Sequence, residues 1–235
     1  MQFPQPLQQG HLVKRYKRFL ADMCLDDETM VTAHCPNTGP MTGLVTPGSK
    51  VLVSPQSGKN RKLAYTWEMV WTENTWVGTN THWPNPLVQE GFDRGMIPAL
   101  APYKTLRREV AVSDSRLDFY ATDHTGHGND KGVYVEVKNV HSKKGTLALF
   151  PDAVTTRGAK HLRTLTQLAA QGYGAVMIYV IQRNDCTAFA IDAVIDPDYA
   201  KAFKEATGVA FFAYTCDLSP QGISLGSSIP VLDPC

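Results

Sequence analysis

Apolar and polar positions alternate in short runs over the first third of the chain, and helical spacing enters only later. Residues 10–23, 29–33, 51–54, 63–70 and 76–78 read as strands set between Gly- and Pro-rich turns. Short strands without a convincing helix predict a small β-barrel of the OB type. The character changes near residues 80–86, so the chain divides into residues 1–80 and 81–235. A helix is expected over residues 87–95, extended runs over 106–112, 117–120 and 133–140, and a helix over 152–171 that ends at Gly172. Val154, Gly158, Leu162, Leu165 and Ala169 form its apolar face, where Gly158 would let a sheet approach closely. Strands at 175–181, 188–191 and 211–215 and a helix at 199–207 complete an α/β domain. Residues 198–218 also invite a helix-turn-helix reading, but the β-branched and aromatic run 209–214 favours helix then strand.

Residues 133–140 hold the candidate chemistry. Val133, Val135 and Val137 share one face of the strand; Tyr134, Glu136 and Lys138 share the other. Asp118 lies in the preceding run, across a hairpin-like polar turn. A carboxylate beside an E-x-K pair is the pattern of metal-dependent nucleases. Asp118 and Glu136 would hold Mg²⁺ or Mn²⁺ through hard oxygen ligands. Lys138 would position the attacking water and offset charge at phosphorus. The same spacing also arises on ordinary amphipathic strands.

Composition narrows the setting. A net charge of +1 denies the chain a global basic signature, so any contact with nucleic acid must be local. Five cysteines without C-x-x-C spacing argue against a zinc ribbon or a disulfide framework and suit a reducing cytoplasm. The start, Met1 to Pro6, lacks the basic and apolar regions of a signal peptide, and no run is long enough to span a bilayer. Candidate phosphate contacts are Arg15, Lys17 and Arg18, with Tyr16 and Phe19 as stacking partners; Lys59, Arg61 and Lys62; and the helix residues Arg157 and Lys160, with His161 at the edge of their face. Each of these sets can equally be a solvated surface. His34 with Cys35 reads as a buried turn, His124 and His127 as an exposed turn, and Trp67, Trp71, Trp76 and Trp83 as packing near the domain junction.

Several long strings then carry a resemblance. They are residues 15–22, Thr32–Ala–His–Cys–Pro–Asn–Thr–Gly39 with residues 41–43, 62–63 with 65–68, 106–109, Val135–Glu–Val–Lys–Asn–Val140, and residues 150–158 with 160–162. Together they resemble the sugar fermentation stimulation protein A family over nearly the whole chain. The resemblance implies an OB-like barrel joined to a PD-(D/E)XK nuclease-like α/β domain, and a cytoplasmic DNA-binding protein linked to regulation of sugar (maltose) metabolism. It places Asp118 and Glu136 at the motif carboxylates and Lys138 at the motif lysine. Glu90 would be an accessory metal carboxylate on the preceding helix. Leu117 stands where a proline is usual in such motifs. The expectation is therefore DNA binding, not sequence-specific, at a nuclease-like metal site; the alternative is an active Mg²⁺-dependent DNA or RNA nuclease. RNA and a second copy of the chain stay open as partners.

Overall fold

The computed structural model describes residues 1–56, 62–112, 114–124 and 131–234, without the side chain of His124. Lys59, Arg61 and His127 lie outside the described residues. The first six strands are β1 (Gln8–Tyr16), β2 (Leu20–Leu25), β3 (Met30–His34), β4 (Lys50–Pro55), β5 (Tyr65–Thr72) and β6 (Thr75–Gly78). β1 pairs antiparallel with β2 and β4, β2 with β3, and β4 with β5. The parallel pairs Ala33–Tyr65 and His34–Thr66 then join β3 to β5 and close an OB barrel of five strands. Closure leaves those strands no free edge. The single run expected over residues 10–23 is two strands. Lys17 and Arg18 take φ of 49° and 67° and turn the chain, although no Gly or Pro marks the turn.

The α/β domain begins with α1 (Pro84–Asp93), longer at its start than the helix expected at 87–95. Its main sheet has six strands in the order β15-β14-β12-β9-β8-β7. β9 (Val133–Val140), β12 (Gly174–Ile181) and β14 (Ala210–Ser219) run parallel at the centre. The hairpin β7 (Tyr103–Val112) and β8 (Ser115–His124) lies at one edge, and β15 (Gly222–Ile229) at the other. A smaller sheet joins β10 (Ser142–Lys144), β11 (Leu147–Phe150) and β13 (Ala188–Ile191). Between β9 and β12 runs α2 (Thr156–Ala170), with α3 (Pro197–Glu205) packed beside it. Among the described residues no helix is long and apolar enough to cross a membrane.

Strand alternation sorts the core into two layers. Val176, Ile178 and Val180 of β12 pack with Leu87 and Val88 of α1. Ala175, Met177 and Tyr179 pack with Leu162 and Leu165 of α2 and with Tyr199 of α3. The α1 layer also takes in Leu52 and Met69 of the barrel, so barrel and sheet share a core. Trp67 is buried in the barrel, and Trp76 and Trp83 pack against the shared layer.

Three details depart from the sequence reading. α2 starts at Thr156, where the Thr155 hydroxyl caps the Gly158 N–H at 3.1 Å. Val154, expected on the apolar face, is therefore outside the helix and 71% exposed. Gly158 admits the Tyr199 ring of α3 instead of a sheet, since a Cβ there would lie 3.2 Å from that ring. Residues 198–218, by contrast, are helix then strand as their pattern favours, with β14 in the sheet interior.

The two domains meet at Gly78. Its N–H donates to the Gln182 carbonyl at 2.8 Å, and a Cβ at Gly78 would stand 2.2 Å from Gln182 Oε1 and 3.0 Å from its Cβ. Gln182 is fully buried and held by Asn80 and Asn139, so it has little room to give. Gly78→Ala is expected to cost about 1–3 kcal/mol, as overpacking does. A urea titration of the purified variant checks this, with an unchanged midpoint as the contrary result.

Candidate metal and phosphate site

The site is built where β8 turns over. Leu117 packs in the α2 layer, and Phe119, two residues on, packs in the α1 layer. Residues two apart on a regular strand share a face, so the strand rotates at Asp118. The ladder between β8 and β9 stops at Phe119–Val135, one step short of Asp118 and Glu136. On β7, Glu109 is bracketed by the pairs Arg108–Phe119 and Val110–Leu117 and takes a left-handed φ of 55°. Both strands of the hairpin are thus irregular at the level of Asp118. The Val137 N–H donates to Asp118 Oδ2 at 2.8 Å in place of a backbone partner, and Asn85 Nδ2 of α1 donates to Oδ1 at 2.7 Å.

Glu136 stays on the regular part of β9, on the face toward α2. Its Oε1 accepts from Lys138 Nζ at 2.7 Å and is bonded to His161 Nδ1 of α2. Its Oε2 is buried and has no partner. Asp118, Glu136, Lys138, Asn85, Arg157 and His161 are among the residues lining one polar cavity of about 340 Å³.

The two carboxyl groups are held in unlike states. Burial, and then the charge of Glu136, push Asp118 up to about 6, against the opposing pull of the Val137 and Asn85 donors. Burial alone would also raise Glu136, but Lys138 and then His161 outweigh it and hold Glu136 below its ordinary range.

The donor set fits a hard divalent cation. A buried carboxylate oxygen without a donor is costly unless a cation covers it. Glu136 Oε2 and the Asp118 carboxyl are both oxygen ligands, which suit Mg²⁺, Mn²⁺ or Ca²⁺ rather than a soft metal. Among the described residues no group of three His, Cys, Asp or Glu side chains is placed to hold a metal. Water and substrate would therefore complete the shell, as is usual for Mg²⁺.

Glu90 is not brought to this pair. It lies on α1, but five residues beyond Asn85 and so on another side of the helix. Its carboxyl accepts from the Met1 amino group at 2.8 and 3.1 Å and pairs with Arg94 at 4.0 Å. The expected accessory carboxylate at the cavity is replaced by the Asn85 amide.

The expected basic clusters separate in the same way. Arg15 Nη2 donates to the carbonyls of Arg18, Asn37 and Gly39, and Arg18 Nε donates to that of Thr38. These two arginines pin the loop after β3. Tyr16 is bonded to Asp22 at 3.1 Å, whereas Lys17, Phe19 and Lys62 are exposed. Cys35 is buried with its Sγ 3.2 Å from the Asn37 carbonyl, and burial pushes its thiol up. On α2, Arg157 is exposed at the cavity, while Lys160 pairs with Asp114 at 2.8 Å.

Sequence reasoning missed Asn85 as a partner of Asp118 and placed His161 at a helix edge. His161 is 4% exposed. Leu165 and Leu168, four and seven residues on, are buried, and that spacing was the available sign that His161 points inward. Asn85 had no comparable sign, because its role depends on how α1 meets β8.

Fold and site together define a two-domain protein, an OB barrel followed by an α/β domain with an acidic site at the edge of its sheet. The family model described as "SfsA N-terminal OB domain" matches residues 13–79, and "Sugar fermentation stimulation protein RE domain" matches residues 82–222. A sugar fermentation stimulation protein homolog of Synechococcus sp. (strain JA-2-3B'a(2-13)) is 47% identical over 94% of this chain and 91% of its own. The homolog of Paramagnetospirillum magneticum is 47% identical over 97% of both chains. The solved structure of Pyrococcus furiosus SfsA in complex with Ca²⁺ has a TM-score of 0.87 at 24% identity, covering 99% of this chain and 98% of the other. The chain belongs to the sugar fermentation stimulation protein family.

The Asp118 environment sets a pH test. Its folded pKa lies above the ordinary 3.8, so the native state holds the proton more tightly than the unfolded chain. Asp118 then lowers stability as pH rises from about 4 through about 6. Asp118→Asn removes that penalty and should gain on the order of 1–3 kcal/mol over wild type near pH 8 in EDTA, with little gain near pH 4. Urea midpoints of the two proteins at both pH values check this.

Proposed function

We propose that this protein binds DNA at a divalent-metal site and hydrolyses its phosphodiester backbone there, in the manner of PD-(D/E)XK nucleases. The observation that carries the reading is the unpartnered, buried Oε2 of Glu136 in a cavity shared with Asp118 and Lys138. The Pyrococcus furiosus relative was solved in complex with Ca²⁺, which supports a divalent ion in this fold.

Asp118 and Glu136 would hold Mg²⁺ or Mn²⁺. Such an ion, when bound, polarises a phosphate oxygen and acidifies a water. Lys138, fixed at 2.7 Å from Glu136 Oε1, places a positive charge where the phosphate gains negative charge. Arg157, exposed at the cavity, binds a flanking phosphate, and Asn85 holds Asp118 in place. Contact through phosphates would grip the backbone without reading sequence, and α3, which leads into a sheet strand, does not form a helix-turn-helix. The sugar phenotype in the family name would then follow from action on DNA.

A second reading, binding without cutting, is favoured by one observation: the Lys138 ammonium is already engaged by Glu136. Single-stranded, double-stranded and structured DNA and RNA, incubated with Mg²⁺, Mn²⁺ or EDTA, separate the two. Metal-dependent cutting that falls by about 10²-fold or more in Glu136→Gln is expected for the nuclease. Salt-sensitive retention with no cutting in either protein would leave the binding reading. Cutting of RNA alone would reassign the substrate.

A further inference from the structure

Glu136 has two oxygens in unlike settings, and the difference traces to α2. We infer that His161 is a positioning residue that reserves Glu136 Oε2 for the metal. This rests on the metal reading of the same site.

The hydrogen bonds fix the ring. Arg157 Nε lies 3.3 Å from His161 Nε2, and a guanidinium only donates, so Nε2 is the acceptor. The ring proton therefore sits on Nδ1, which is bonded to Glu136 Oε1. Lys138 Nζ donates to that same oxygen at 2.7 Å. Oε1 thus receives both donors and Oε2 none. Without the imidazole, the Glu136 carboxyl could rotate and offer Lys138 either oxygen. With it, rotation would break a buried bond, since His161 and Glu136 are 4% and 3% exposed. Leu162 and Leu165 pack α2 on the sheet and set the height of the ring over β9.

Arg157 has a second consequence. It lines the cavity and holds the His161 ring, so the side chain that meets a phosphate also sets the tautomer that orients a metal ligand. Donors behind a metal ligand commonly matter by about 10- to 100-fold in metal affinity.

Binding of Mn²⁺ alone to the full chain, followed by calorimetry without nucleic acid, tests the assignment. His161→Leu removes the donor and keeps the bulk. His161→Asn keeps an N–H at the position of Nδ1. H161L should bind Mn²⁺ about 10- to 100-fold more weakly than wild type, and H161N should recover most of that loss. Melting in EDTA, run alongside, separates lost positioning from lost folding, and His161→Ala replaces H161L if the latter does not fold. Equal Mn²⁺ affinity in wild type and H161L would overturn the inference and leave the metal reading standing. Equal loss in H161L and H161N would overturn the role given to the Nδ1 hydrogen bond. No Mn²⁺ binding by wild type would remove the metal reading itself, and this inference with it.

Discussion

The arrangement of the whole molecule turns on one buried carboxyl group, that of Glu68. It sits on β5 and is 2% exposed. Ser54 of β4 donates to Oε1 at 2.5 Å, and Asn80 and Trp83 donate to Oε2 at 2.8 and 2.7 Å. A carboxyl group taken out of water is tolerable only when its oxygens are bonded. Two of these three donors belong to the segment that leaves the barrel, so the requirement fixes where that segment runs. Trp83 immediately precedes α1, and Asn85 on the first turn of α1 reaches Asp118. The barrel strand and the candidate site are thereby joined through a few consecutive residues.

Other bonds restrain the same junction. Gln182, at the end of β12, donates to the Asn80 carbonyl at 2.9 Å and to Asn139 at 2.5 Å. Further out, Lys143 and Arg183 lie between Glu73 of the barrel and Asp185 of the α/β domain, at 2.6 to 3.3 Å. Arg183 is 3% exposed, and removing a partner would leave a buried guanidinium uncompensated. Arg183 and Lys143 hold Asp185 down to about 2 despite its partial burial. With the core shared through Leu52 and Met69, these contacts make the junction a packed interface and not a hinge.

What the sequence showed was periodic, and what it hid was not. The valines of β9 alternate with Glu136 and Lys138, so the strand and its polar face were legible. The long apolar run of β12 and the spacing of α2 were legible for the same reason. β15 was missed because its Gly- and Ser-rich segment pairs through its backbone and buries few apolar groups, chiefly Ile223 and Leu225. The turn at Lys17 and Arg18 was missed because neither residue signals a positive φ. Asp118 and Glu136 were named from spacing, but the reversal of β8 at Asp118 depends on which layer Leu117 and Phe119 enter. Glu90 failed for a related reason: helix register decides which side chain meets β8, and here it presents Asn85.

That register has an electrostatic consequence. Lys138 and His161 both attach to Glu136, whereas Asp118 receives only neutral donors, from Asn85 and the Val137 backbone. Lys138, the cationic donor, bonds Glu136, and Asp118 therefore bears most of the cost of bringing two carboxyl groups together. A carboxylate from α1 in place of Asn85 would add to that repulsion. The amide instead orients Asp118 without adding charge. A divalent cation would relieve both strains at once, by covering the unpartnered Oε2 and by offsetting the Glu136 charge that adds to burial in raising Asp118. The same local chemistry that makes the pair unfavourable without a cation is what would give it affinity for one.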